Sequence, residues 1–228
     1  MQTATYETVA VVGAGAMGRG IAQIAAQAGS KVRLYDTQPT AVAKALQDIG
    51  SQWDRLQEKG RMDAAAVQAC KSRLVAAEDL SALADCKLVV EAVIERLDVK
   101  KELFSRLETI VGPDAVLATN TSSLSVTAIA AGLERPQRVA GYHFFNPVPL
   151  MKVVEVIAGL KTDASVCDGL AAFARQMGHT PVRAQDTPGF IVNHAGRAYG
   201  TEALRIVSEG VADFATIDRI LRDQVGFK

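Results

Sequence analysis

Short β-branched runs alternate along the chain with longer stretches in which apolar residues return every third or fourth position. "TVAVVG" leads into a helical pattern over residues 17–28, and "KVRLYD" follows as a second strand. Over residues 39–59, Val42, Leu46, Ile49, Trp53 and Leu56 recur at spacings of four and three, one apolar stripe on a helix stopped by Gly60. Asp63 caps a second helix, running to about residue 72. "KLVVEAV", "AVLATN" and "RVAGYHFF" read as strands, with helices in "VKKELFSRLETIV" and "VTAIAAGL" between them. "KVVEVI" and "TPVRAQD" are further strands, separated by a helix over residues 164–177. Such alternation predicts an α/β fold, a mainly parallel sheet with helices on both faces. The loop over residues 146–151 is too short to hold a crossover helix, so "KVVEVI" should return antiparallel to "RVAGYHFF".

After Thr187-Pro188-Gly189 the pattern is helical only. The expected division is therefore residues 1–187, with a helical pair at 39–72, and residues 188–228 as the beginning of an all-helical C-terminal domain. Two helices with apolar faces and little to cover them end at "VGFK", which reads as a cut chain or as one that pairs with another subunit.

Composition narrows the function. The 228 residues, 49% of them hydrophobic, suffice for one sizeable domain and a smaller one. With 25 acidic and 25 basic side chains, no bulk charge draws the protein to nucleic acid or to an anionic membrane. Cys70, Cys86 and Cys167 are widely spaced, which suits buried reduced thiols and offers neither disulfide nor zinc framework. Residues 1–8 lack the basic region of a signal peptide, and no run is long and apolar enough to span a bilayer. A cytoplasmic protein with no metal, no nucleic-acid partner and no membrane is expected.

"VAVVGAGAMGRG" contains Gly13-x-Gly15-x-x-Gly18. Any glycine-rich turn could supply that spacing, but here a buried strand leads in and a helix leads out. A second strand then ends in Asp36, eighteen residues after Gly18. Gly13 permits the turn, Gly15 lets backbone approach a pyrophosphate, and Gly18 lets helix and strand pack closely. The N–H groups from Gly15 through Ala16 and Met17 to Gly18 would meet the phosphates at a helix N-terminus. This is a Rossmann-type arrangement. Asp36 should bond the adenosine ribose and repel a 2′-phosphate, which favours NAD over NADP. Lys31 and Arg33 alternate onto the opposite face of the strand.

Polar residues gather where the strands end. Asn120-Thr121-Ser122-Ser123 follows one strand, His143 lies near the end of another, and Asn193 follows "DTPGF" in a helix. Glu155 interrupts an apolar strand, a costly burial unless it is paired. The antiparallel return brings it toward His143. A carboxylate on one imidazole nitrogen fixes the tautomer, and the other nitrogen can take a proton near neutral pH. With a dinucleotide nearby, a histidine base points to hydride transfer from a secondary alcohol.

"GAGAMGRGIAQ", "VVEAVIERLDVKKELF", "NTSSLS", "HFFNPVPLMKVVEV" and "DTPGFIVN" together resemble the L-3-hydroxyacyl-CoA dehydrogenase family, over essentially the whole chain. The resemblance implies NAD-dependent interconversion of 3-hydroxyacyl-CoA and 3-oxoacyl-CoA. His143 matches the family's base and Glu155 the acid paired with it. Ser122 and Asn193 match residues that bond the substrate around its 3-oxygen and thioester. Glu95, Lys100, Asn120 and Asn146 match positions lining the nicotinamide half of NAD. The 39–72 helices correspond to the region covering CoA, where Arg55 and Lys59 are candidate phosphate contacts. Family members continue past "VGF" with helices that complete the second domain and usually make a homodimer. A relative acting on a sugar acid or free hydroxy acid with the same pair, or a non-catalytic NAD-binding protein of this fold, remain the alternatives.

Overall fold

The computed structural model describes residues 5–227. Residues 1–4 and 228, into which the readings of the first eight residues and of "VGFK" extend, lie outside them. The strands are β1 (Thr8–Val12), β2 (Lys31–Tyr35), β3 (Leu74–Ala76), β4 (Leu88–Glu91), β5 (Val116–Thr119), β6 (Val139–Phe144), β7 (Val153–Ala158) and β8 (Thr180–Gln185). The helices are α1 (Ala16–Gln27), α2 (Pro39–Glu58), α3 (Ala64–Arg73), α4 (Leu97–Ile110), α5 (Val126–Ala130), α6 (Ala164–Gln176), α7 (Val192–Ser208) and α8 (Phe214–Asp223).

The strands form one sheet in the order β3-β2-β1-β4-β5-β6-β7-β8. Every pair from β3 to β6 is parallel, β7 runs antiparallel to β6, and β8 is parallel to β7. All residues of β4, β5 and β6 are buried, as strands covered on both faces require. The order reverses between β1 and β4, and that switch point opens a crevice at the carboxyl ends of the strands.

Two details depart from the sequence pattern. β3 was not expected: three residues directly after α3 carry too little periodicity to read. On α2 the core takes Val42, Ala45, Ile49 and Trp53, while Leu46 and Leu56 are only partly buried. The stripe is therefore turned slightly toward a small alanine, which lets the helix approach closely. Asp63 caps α3 as expected, accepting from the Ala66 N–H at 2.7 Å.

The chain divides into two compact units, Met1–Pro188 and Gly189–Lys228. In the second, Asp213 caps α8 through the Thr216 N–H, and the rings of Tyr199 and Phe227 meet edge-on at 5.2 Å. Leu204, Val211, Phe214 and Ile220 are exposed there. Among the described residues, no helix is long and apolar enough to cross a membrane, and no group of His, Cys, Asp or Glu could hold a metal ion.

Candidate active site

The glycine loop is built by close approaches. Gly13 has φ +107, and a Cβ there would stand 2.4 Å from the Ala92 carbonyl oxygen. A Cβ on Gly18 would stand 1.7 Å from the Gly13 carbonyl oxygen, so only glycine lets α1 start against the loop. Asp36 fastens the same loop: its Oδ2 accepts from the Ala14 N–H at 2.8 Å and its Oδ1 from the Gln38 N–H at 2.9 Å. This tie between Asp36 and the loop was not read from the sequence. Arg33 is turned to Asp85, its Nη2 donating to Oδ2 at 2.9 Å. A cavity of about 450 Å³ opens beside the loop, lined by Gly13, Gly15, Asp36, Ala92, Ile94 and Arg106 among others.

Gly15 differs from its neighbours. Its φ of −66 suits any residue, and an added Cβ would meet nothing within 4 Å. The fold alone does not demand glycine there; room for a ligand would. Gly15→Ala is expected to lower Tm by no more than about 3 °C, the cost of a poorer helix cap. It should weaken NAD binding by about tenfold or more, a loss of about 1.4 kcal/mol or more. Calorimetric titration with NAD checks this, and an unchanged Kd would remove the loop from the cofactor site.

His143 and Glu155 stand directly opposite each other in the β6–β7 register. Nδ1 of His143 donates to Oε2 of Glu155 at 2.7 Å, with His143 5% and Glu155 0% exposed. Cross-strand partners are close neighbours on one face of a sheet, so the ladder itself joins base and acid. The bond places the proton on Nδ1 and the lone pair on Nε2. The His143 ring lies against Phe145, centroids 4.5 Å apart.

A second buried cluster lies at the ends of β4 and β5. Glu91, fully buried, accepts from Lys100 Nζ at 2.6 Å, Thr119 Oγ1 at 2.7 Å and the Val93 N–H at 2.7 Å. Lys100, 1% exposed, also reaches Glu95 at 3.2 Å. Glu95 Oε1 in turn accepts from Thr121 Oγ1 at 2.5 Å and from the Ser122 N–H at 2.8 Å. Burial works to raise the Glu95 carboxyl, but these donors and the Lys100 ammonium outweigh it and hold the group below its usual value. The stability Glu95 contributes is thus complete above the ordinary carboxylate value and lost as pH falls through the lower, folded one. Asn120 Oδ1 accepts from the Phe144 N–H at 2.9 Å, which ties this loop to the strand carrying His143.

Glu95, Lys100 and Ser122 are therefore joined in one hydrogen-bonded group with Glu91, to which Asn120 is tied by its N–H on the Glu91 carbonyl at 2.8 Å. His143 and Glu155 form a pair one residue from Phe144, which bonds Asn120. Ala16 and Met17 open α1. Asn146 is exposed in the β6–β7 loop, and Asn193 is partly buried in the first turn of α7, in the second unit. Arg55 and Lys59 are exposed at the end of α2.

The sequence reading missed Glu91, although it carries the signal that exposed Glu155: a lone carboxylate inside an apolar strand. It also gave His179 no role. His179 is buried, with its ring nitrogens 3.2 Å and 3.0 Å from the carbonyl oxygens of Met177 and Val148, so it anchors the β6–β7 loop to the end of α6. The three cysteines are buried thiols, and burial pushes Cys86 up to about 11.

Comparison with known proteins shows the family of the chain. Residues 8–187 match the family described as 3-hydroxyacyl-CoA dehydrogenase, NAD binding domain. Residues 189–228 match the 3-hydroxyacyl-CoA dehydrogenase, C-terminal domain. The chain is 47% identical to the 3-hydroxyadipyl-CoA dehydrogenase of Escherichia coli K12, over 97% of this chain and 46% of that protein. It is 42% identical to a probable 3-hydroxybutyryl-CoA dehydrogenase of Bacillus subtilis, over 94% of this chain and 75% of the other. The crystal structure of 3-hydroxybutyryl-CoA dehydrogenase from Escherichia coli K12 superposes with a TM-score of 0.92 at 46% identity, covering 96% of this chain and 46% of that one. The chain thus spans about half the length of the first relative and three quarters of the second.

Proposed function

Because the chain belongs to the 3-hydroxyacyl-CoA dehydrogenase family, we propose that the whole protein oxidises 3-hydroxyacyl-CoA to 3-oxoacyl-CoA with NAD. The observation that carries the reading is the buried His143–Glu155 pair, one residue from the Asn120 loop at the carboxyl end of the sheet. The residues present fit the cofactor. Gly15 leaves open the space that a side chain would fill, and Asp36 stands at the edge of the adjoining cavity. When bound, NAD supplies the acceptor for the hydride leaving C3 of the substrate.

Nε2 of His143 takes the hydroxyl proton, and Glu155 holds the ring in the tautomer that can do so and balances the imidazolium that forms. Ser122 and Asn193 bond the 3-oxygen and thioester. Glu95, Lys100, Asn120 and Asn146 line the nicotinamide half of the cofactor, and Arg55 and Lys59 meet phosphates of CoA. In the same reading, residues 1–187 bind the dinucleotide and residues 188–228 begin the helical domain. We take the protein to work in the cytoplasm as a homodimer built on its complete helical domain, a reading supported by the apolar side chains exposed on α7 and α8.

The test is steady-state NADH formation by the full-length protein, from 3-hydroxybutyryl-CoA, longer 3-hydroxyacyl-CoAs, 3-hydroxyadipyl-CoA and 3-hydroxybutyrate without CoA. Turnover of the CoA thioesters is expected. Turnover of the CoA-less acid alone would replace this reading by that of a hydroxy-acid dehydrogenase.

A further inference from the structure

The loop over residues 120–125 carries Asn120 and Ser122, and it is held at both ends by carboxylates. At its start stands Glu95, bonded to Thr121 and Ser122. At its far end three donors converge on Asp186. Ser125 Oγ donates to Oδ2 at 2.7 Å, the Val126 N–H to Oδ1 at 2.9 Å and the Thr127 N–H to Oδ2 at 2.8 Å. Asp186 follows β8 directly and lies two residues before the end of the first compact unit. Nothing read from the sequence gave it a role.

The geometry points to Asp186 as a positioning residue for the substrate loop, a clamp that fixes Ser122 from the side opposite Glu95. This rests on the proposed reading of Ser122 as a substrate contact. The helix's own cap is partial: Ser125 Oγ accepts from the Ala128 N–H at 3.2 Å and leaves the Val126 and Thr127 N–H groups to Asp186. α5 has only five residues, too few to hold itself in place, so its first N–H groups need an external acceptor. Asp186 supplies that acceptor from a strand at the edge of the sheet, and so ties the exit of the first unit to the loop bearing Ser122. Burial works to raise the Asp186 carboxyl, but its hydrogen bonds outweigh that and hold it below its usual value. The clamp therefore stays charged at neutral pH.

Both oxygens accept from backbone N–H groups, so an asparagine amide would turn its NH₂ toward a donor in either orientation. Asp186→Asn thus breaks the clamp nearly as thoroughly as Asp186→Ala. The control is Glu108→Gln. Glu108 Oε2 accepts from the Glu134 N–H at 2.9 Å and its Oε1 from the Arg135 N–H at 3.0 Å, a similar pair of backbone bonds near the start of β6, and Oε1 also faces Arg138 Nη2 at 3.6 Å.

The experiment compares the full-length protein and these three variants by hydrogen exchange, by NAD binding, and by kcat and KM for 3-hydroxybutyryl-CoA. In both Asp186 variants, amides 121–127 should exchange faster while the glycine loop is unchanged. kcat/KM should fall by about 10- to 100-fold, with the NAD Kd moving by less than about twofold, a shift under about 0.4 kcal/mol. Glu108→Gln should lose thermal stability to a similar degree yet keep kcat/KM. Unaltered kcat/KM in folded Asp186→Asn, or an equal loss in Glu108→Gln, would overturn the proposal. Should the wild-type protein leave 3-hydroxyacyl-CoAs untouched, the functional reading fails, and the exchange arm decides the clamp by itself: unchanged protection at 121–127 overturns it.

Discussion

Replacing His143 by glutamine is expected to cut NADH formation from a 3-hydroxyacyl-CoA by about 10²- to 10⁴-fold, the usual contribution of a general base. The choice of glutamine matters. Glu155 is fully buried directly across the β6–β7 ladder, and the imidazole Nδ1–H is its partner at 2.7 Å. A glutamine NH₂ can still donate to that carboxylate, so a buried charge is not abandoned and the fold is spared. An amide has no basic lone pair to accept the hydroxyl proton, so the chemistry is not spared. NAD binding should change by less than about threefold, under about 0.7 kcal/mol, because the glycine loop and Asp36 lie over β1 and β2, away from this pair. Steady-state rates set beside a titration with NAD give the comparison. Equal turnover by wild type and variant would take His143 out of the mechanism.

What the sequence disclosed depended on how local the cause was. The 3.6-residue stripe of α2 and the alternation of strand and helix are local, so the elements and the mainly parallel sheet were legible. The His143–Glu155 pairing was also within reach, because a six-residue loop leaves an antiparallel return as the only course. Glu91 was missed although it interrupts "KLVVEAV" as Glu155 interrupts "KVVEVI". Its partner Lys100 sits on a following helix, and no short return forces the two together. Asp186 shows the same limit more plainly: its donors lie some sixty residues earlier and meet it only through the packing of the folded sheet. β3 escaped because three residues carry no period. Contacts set by register were readable, and contacts set by the packing of distant elements were not.

Lys100→Met is expected to destabilise the protein by about 3–5 kcal/mol, the usual cost of removing one member of a buried ion pair. At roughly 2–4 °C per kcal/mol for a chain of this size, the fall in Tm is about 6–20 °C. The reason lies with the residue left behind. Glu91 is fully buried, and after the change it keeps only Thr119 Oγ1 and the Val93 N–H as donors. Adding Glu91→Gln removes the stranded charge, so the double variant should regain most of the lost stability, as neutral replacements of buried pairs commonly do. Thermal unfolding of the two single variants and the double completes the cycle. A Lys100→Met protein as stable as wild type, or a double variant less stable than Lys100→Met alone, would contradict this account. NAD affinity separates scaffold from site in the same series. Lys100 also faces Glu95, which holds Ser122, and Glu91→Gln does not restore the contact between Lys100 and Glu95. Affinity for NAD should therefore stay weakened in the double variant while its Tm recovers, because Lys100 both neutralises the core and lines the proposed nicotinamide site.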